Sequence, residues 1–146
     1  MHRGKPGSKH HLAVDGRGVP LALILTQANR HDVTQMLPLI HAIPAVRGRH
    51  GAPKRRPERV YADRAYDSQP HRDELRSRGV ASSIPRRGAP HGSGLGKVRW
   101  VVERTFGWLH HFRRLRTRFD RLARIHEALL RLAAAIICWR RLQGRF

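Results

Sequence analysis

Acidic residues are scarce in this chain of 146 residues: 10 Asp and Glu stand against 30 Lys and Arg, a formal charge of +20. Such a surface repels cations and attracts polyanions, and nearly all of the basic residues are Arg, whose planar guanidinium suits phosphate. A solvated Arg coat is the bland alternative, but a pI near 11.9 favours nucleic acid as partner over a membrane. Cysteine is nearly absent too. Cys138 alone excludes an internal disulfide, and its setting among Ala, Ile and Trp reads as a buried, inert thiol. No run approaches the ~20 apolar residues of a membrane span; the best candidate, "LRLAAAIICW", is short and contains Arg131. The opening "MHRGKPGSKHH" lacks the apolar core of a secretion signal, so no membrane partner is expected and the cytoplasm is the expected compartment.

The length suits one domain with a real core. Residues 1–9 read as an irregular basic arm, and the folded domain is expected over 10–146. From His10, "HLAVDGRGVPLALILT" predicts an antiparallel hairpin turning at Asp15-Gly16. Its second arm, Leu21 to Thr26, is nearly all apolar and predicts a strand covered on both faces. Asp32 is placed to cap a helix carrying Val33, Met36, Leu37 and Ile40, with a kink at Pro38. "RVYA" predicts a short strand, "SQPHRDELRSRG" a helix capped by Ser68 and stopped by Gly79, and "VASSIP" another strand. Two helices close the chain. The first has Val98, Val101, Val102, Thr105, Leu109 and Phe112 on one face. The second, "IHEALLRLAAAIICWRRL", is apolar on most of its circumference and predicted buried, with no coiled-coil heptads of useful length. This order predicts a mixed α/β fold, a sheet flanked by helices.

Two acids stand out. Asp63 follows the strand of "VYADRAYDS", and chemistry in open α/β sheets collects beyond strand carboxyl ends; the alternative is an aspartate that starts a turn. Glu103 shares a helix flank with Arg99 and His110, beside the apolar face. Carboxylates from strand end and helix can share a divalent cation such as Mg²⁺, with phosphate oxygens completing the shell. Equally, Glu103 can do no more than pair with Arg99 at i−4. The eleven histidines lack helical zinc spacing. Trp100, Trp108 and Trp139 could stack on bases but read better as packing residues.

Five blocks, "RGKPGSKHHLAVDGRGVPLAL", "ANRHD", "YADRAYDS", "RWVVERTFGWLHHFRRLRTRFDR" and "HEALLRLAAAIICWRRL", together resemble the DDE transposases of bacterial insertion sequences, in the four/five superfamily with a ribonuclease H-like catalytic domain. The resemblance covers nearly the whole chain, in order. It implies a ribonuclease H-like mixed sheet flanked by helices, incomplete at the amino terminus, the opening strand being missing. It places the family's second catalytic aspartate on Asp63, its catalytic glutamate on Glu103, and the arginine four before it on Arg99. Two signature positions differ: Gly96 stands for a tyrosine and His110 for a lysine. The first catalytic aspartate has no counterpart, because it belongs to a strand upstream of the hairpin, and Asp15 is explained by turn chemistry.

The resemblance further implies two Mg²⁺ (or Mn²⁺) ions held by the carboxylates, including Asp63 and Glu103, and in-line cleavage and strand transfer on DNA. Lys97, Arg99, Arg104, His110, Arg113, Arg114 and Arg116 surround the glutamate helix and are the expected DNA contacts. The partners would be transposon ends, target DNA and, for a split enzyme, its upstream half; the chain alone is expected to bind DNA without catalysis. The rival expectation is a non-catalytic basic protein that binds nucleic acid.

Overall fold

The computed structural model describes residues 7–48, 50–88 and 96–144, and the Lys97 side chain lies outside that description. Most of the expected arm 1–9, and most of the stretch "RRGAPHGSGLG" at 86–96, read from the sequence as a basic loop, therefore lie outside the described residues. Strand β1 (Ser8–Val14) begins two residues earlier than expected, so Ser8 and Lys9 belong to the fold. It pairs antiparallel with β2 (Pro20–Gln27), placing His11 opposite Ile24 and Leu12 opposite Leu23, with a register shift at Ala13/Val14.

The hairpin is as predicted, but its chemistry is not. The positive φ of +82° falls on Gly18, not Gly16. Asp15 stabilises the turn by accepting from the backbone N–H groups of Arg17 and Val19, both at 2.8 Å. The strand buried on both faces is β1 instead of β2. Leu12 turns toward the helices that close the chain, while His11, 1% exposed, turns the other way onto Tyr66. In β2 only Ala22 is buried, and most of the strand's other residues are half-buried.

Past the hairpin a 3-10 turn (Asp32–Gln35) leads into α1 (Met36–His41), so the predicted single helix is broken before Met36. Pro38 then sits in the first turn of α1, where its missing N–H costs no bond. Strands β3 (Arg59–Tyr61) and β4 (Ala81–Ser83) are parallel, joined through α2 (Gln69–Ser77), whose entry carries Ser68 and Pro70 and whose exit is Gly79 at φ +72°. Ser68 makes no backbone cap; its hydroxyl meets His71 Nδ1 at 2.8 Å. The described strands thus form two two-stranded sheets, not one mixed sheet. The α/β class holds.

Helix α3 (Gly96–His110) is followed by a separate single turn, α4 (Arg113–Arg116), and then α5 (Ala123–Leu142). Val101, Thr105 and Leu109 recur at four-residue spacing and are buried, as the periodicity predicts. Two apolar clusters result. Leu12, Leu109, Leu115, Leu130, Ala133 and Ile137 knit β1 to the last three helices. Met36, Leu75, Val80 and Ile84 knit α1, α2 and the second sheet. Each fully buried Leu contributes about 1.5–3 kcal/mol, which is what anchors the short α4 through Leu115. The prediction that α5 is buried holds only for its inner face: Leu132 is 59% and Trp139 61% exposed.

Candidate functional site

Asp63 stands one residue beyond the last β3 hydrogen bond, Ala62 N–H to the Ser83 carbonyl at 3.3 Å. Its Oδ1 accepts from Ala65 N–H at 2.8 Å, capping a 3-10 turn over Arg64–Tyr66. This turn explains the residue type, yet the carboxylate remains exposed. Asp67, four residues on, is engaged differently. It takes Arg72 at 2.7 Å and the Arg87 N–H at 2.8 Å, and those bonds, Arg72 first, hold its carboxyl below the usual range. Asp67 ties the loop down; Asp63 is left open to solvent.

Tyr66 connects that turn to the hairpin. Its hydroxyl lies 3.3 Å from His11 Nδ1, whose Nε2 meets Thr26 Oγ1 at 2.8 Å. A neutral imidazole satisfies both contacts by accepting from the tyrosine and donating to the threonine, and burial, more than Lys9, pushes the His11 pKa down. The Tyr66 pKa is pushed up to about 12, by burial first and then by Asp32 and Asp63. Asp32, expected as a helix cap, caps nothing; it pairs with Lys9 at 3.0 Å. A cleft of about 210 Å³ opens here, lined by Lys9, Asp32, His31, Ala65 and Arg87 among others. Asp32, His11 and Tyr66 are thus the neighbours of the Asp63 loop that sequence patterning missed. The "ANRHD" block carried the signal for Asp32, but its type was already accounted for by helix capping.

Glu103 lies on the exposed side of α3, with its Oε1 3.1 Å from Arg99 Nε and both side chains about two-thirds exposed. No hydrogen bond or ion pair joins it to Asp63 among the described residues, and no group of three or more His, Cys, Asp or Glu side chains is placed there to hold a metal. Exposed carboxylate oxygens nevertheless have the donor chemistry of a hard cation, and Mg²⁺ takes one or two carboxylates with water and phosphate for the rest.

The expected DNA contacts divide. Arg99 is exposed, though it shares Glu103. Arg104 is committed to the fold. Its guanidinium lies over Trp100 at 4.2 Å and Trp108 at 4.9 Å and donates to the Arg17 carbonyl at 2.8 Å. That stacking leaves Trp100 48% exposed, and with Trp139 it departs from the expected buried packing role. Arg113, Arg114 and Arg116 all project outward, because a single helical turn pinned by Leu115 has no other buried face. His110 and Arg116 come together at a second cleft of about 370 Å³, shared with Lys9, His10, Arg118 and His126. Its floor holds a histidine pair: His10 and His126 rings stack at 5.1 Å with Nε2 atoms 2.9 Å apart. His126 is buried and its Nδ1 has no hydrogen-bond partner among the described residues. The signal for it was a polar residue on the apolar stripe of α5, at 126, 130, 133 and 137.

Residues 2–138 match the family described as Transposase DDE domain. A protein of Burkholderia cepacia, assigned as a transposase for insertion sequence element IS402, is 61% identical over 141 residues, covering 97% of this chain and 67% of the relative. The transposase for insertion sequence element IS1106 of Neisseria meningitidis serogroup B is 30% identical over 132 residues, covering 83% of this chain and 42% of the relative. This chain therefore spans about two thirds of one relative and less than half of the other. No solved structure matches.

Proposed function

The chain belongs to the family of transposases with a DDE domain, and on that premise we propose that it is the catalytic-domain part of an insertion-sequence transposase, acting on DNA through Asp63 and Glu103. Asp63 carries the proposal: it is exposed at a strand end, although a neighbouring aspartate in the same loop is fully engaged. The two carboxylates would hold Mg²⁺ or Mn²⁺, which when bound makes a water or hydroxyl nucleophilic and offsets charge on the leaving oxygen. The protein supplies negative oxygen for the cation and positive charge for the phosphodiester. Arg99, Arg113, Arg114 and Arg116, with His110 and Lys97, neutralise backbone charge and hold register, while Arg104 stacks on Trp100.

We read the fold as ribonuclease H-like. The third carboxylate of the family site would come from outside the matched stretch, from an upstream segment or a separate upstream polypeptide. The relatives extend beyond the match, which covers two thirds of one and 42% of the other. The rival, a non-catalytic nucleic-acid-binding protein, draws support from the Arg99–Glu103 pair and the Asp63 cap, which account for both acids structurally.

Incubating the chain with supercoiled plasmid and Mg²⁺ or Mn²⁺ tests the proposal. Binding without strand transfer is expected from the chain alone, and strand transfer when an upstream segment is added. Asp63→Asn and Glu103→Gln should each abolish it. Strand transfer that survives both substitutions contradicts the assignment of these acids.

A further inference from the structure

The outer face of α5 bears a second apolar stripe, distinct from the one that enters the core. Ile125, Ala128, Leu132, Ala135, Trp139 and Leu142 are all exposed and follow a 3-4-3-4-3 spacing over nearly the whole helix. That 3.5-residue period is the signature of a helix seam that packs on another helix. The exposures are large: 43% at Ile125, 59% at Leu132, 61% at Trp139 and 83% at Leu142. The periodicity was hidden in the sequence because the inner stripe, at 126, 130, 133 and 137, overlays it and makes the helix apolar nearly all round.

We propose that this stripe is a self-association surface, on which α5 of a second copy packs antiparallel. The order of side-chain sizes selects both the partner and its direction. Large residues (Ile125, Leu132, Trp139) occupy one seam position and Ala128 and Ala135 the other, with Leu142 closing the row. In a parallel in-register pair, Trp139 would face Trp139, and Ala128 and Ala135 would face themselves, giving overfilled and empty layers by turns. Antiparallel pairing sets Trp139 on Ala128, Leu132 on Ala135, and Ile125 on Leu142 of the other copy. Interiors require such complementary filling. That register also overlaps the two helices over their full lengths, because α5 runs from Ala123 to Leu142.

The area suffices for a weak dimer. The four large side chains leave on the order of 500 Å² open per copy, and a pair of copies would bury roughly 1,000 Å², the lower bound of a specific interface. Charge beside the seam is partly neutralised already, since Arg131 donates to Glu127 at 2.7 Å. Two chains of formal charge +20 repel at long range, so salt should strengthen this association. Nucleic-acid binding shifts the opposite way with salt, which keeps the two properties separable.

Sedimentation equilibrium of the full chain without DNA tests the dimer. A concentration-dependent doubling of mass is expected, stronger at high salt, and Leu132→Glu should return the chain to a monomer with unchanged helical circular dichroism. Orientation is read by disulfide formation in a Cys138→Ser background, mixing Leu132→Cys chains with Ala135→Cys chains. Cross-links between the two kinds of chain support the antiparallel pair. A monomer at every concentration and salt, cross-links confined to like positions, or association that Leu132→Glu leaves intact would each overturn it.

Discussion

His10 on β1 and His126 on α5, 116 residues apart, meet with their Nε2 atoms at 2.9 Å. Two imidazoles can share that contact only if at least one is neutral, since two cations would present only donors. Burial, then the charges of His126, His110 and His11, lowers the His10 pKa from 6.5 to about 4. Burial, then Arg118, lowers that of His126, against the opposing pull of Asp120. The pair therefore links strand to helix as a neutral unit.

Because the folded pKa of His10 lies below its unfolded value, the unfolded chain binds more protons between the two. The stabilisation is full above about pH 6.5 and is lost as pH falls toward about 4. The melting temperature should drop across that window. His10→Gln should flatten the drop, measured by thermal unfolding at closely spaced pH. A melting temperature constant from pH 7 to pH 4 would refute the buried neutral pair.

Gly18 should not tolerate a side chain. At φ +82°, a Cβ there would meet Thr105 Oγ1 at 2.9 Å, the hydroxyl that donates to the Gly18 carbonyl, also at 2.9 Å. Strain and displacement of this buried contact add, so Gly18→Ala should cost on the order of 1–3 kcal/mol in denaturant unfolding. By contrast Gly16→Ala, with open space around it, should change stability by less than about 0.5 kcal/mol.

Asp63→Asn separates capping from chemistry. Asparagine retains the oxygen that accepts from Ala65 N–H but removes the charge a cation requires. Stability should stay within about 0.5 kcal/mol of the parent, while the metal-dependent cleavage obtained when the upstream segment is added disappears. A loss of fold stability with cleavage preserved would mark Asp63 as a structural residue only.

Arg113, Arg114 and Arg116 project from one short turn, and DNA affinity should register their charge as a group. Replacing all three by Gln should shallow the slope of log K against log salt by up to about 2.7, that is about 0.9 for each phosphate no longer neutralised. Fluorescence anisotropy with duplexes of unrelated sequence reads this directly. An unchanged slope would place the DNA on another face.

Local pattern alone makes several elements legible. The hairpin, α2 with Pro70 and Gly79 at its ends, and the buried row Val101, Thr105, Leu109 all follow from spacing and from residues with restricted backbones. Asp63 is legible as a strand-end acid for the same reason. Less visible is its company: Asp32 resembles a cap and His11 a strand residue, and only the turn at Tyr66 brings them near the Asp63 loop.

The sequence by itself determined the charge, the α/β order of elements and the family, because composition, periodicity and ordered motifs are properties of the chain read along its length. Tertiary structure alone decided that His10 meets His126, that Arg104 is spent on Trp100 and the hairpin turn, and that one stripe of α5 enters the core while the other faces water. Periodicity reports that a face is apolar, but what covers it depends on contacts between residues far apart in the chain.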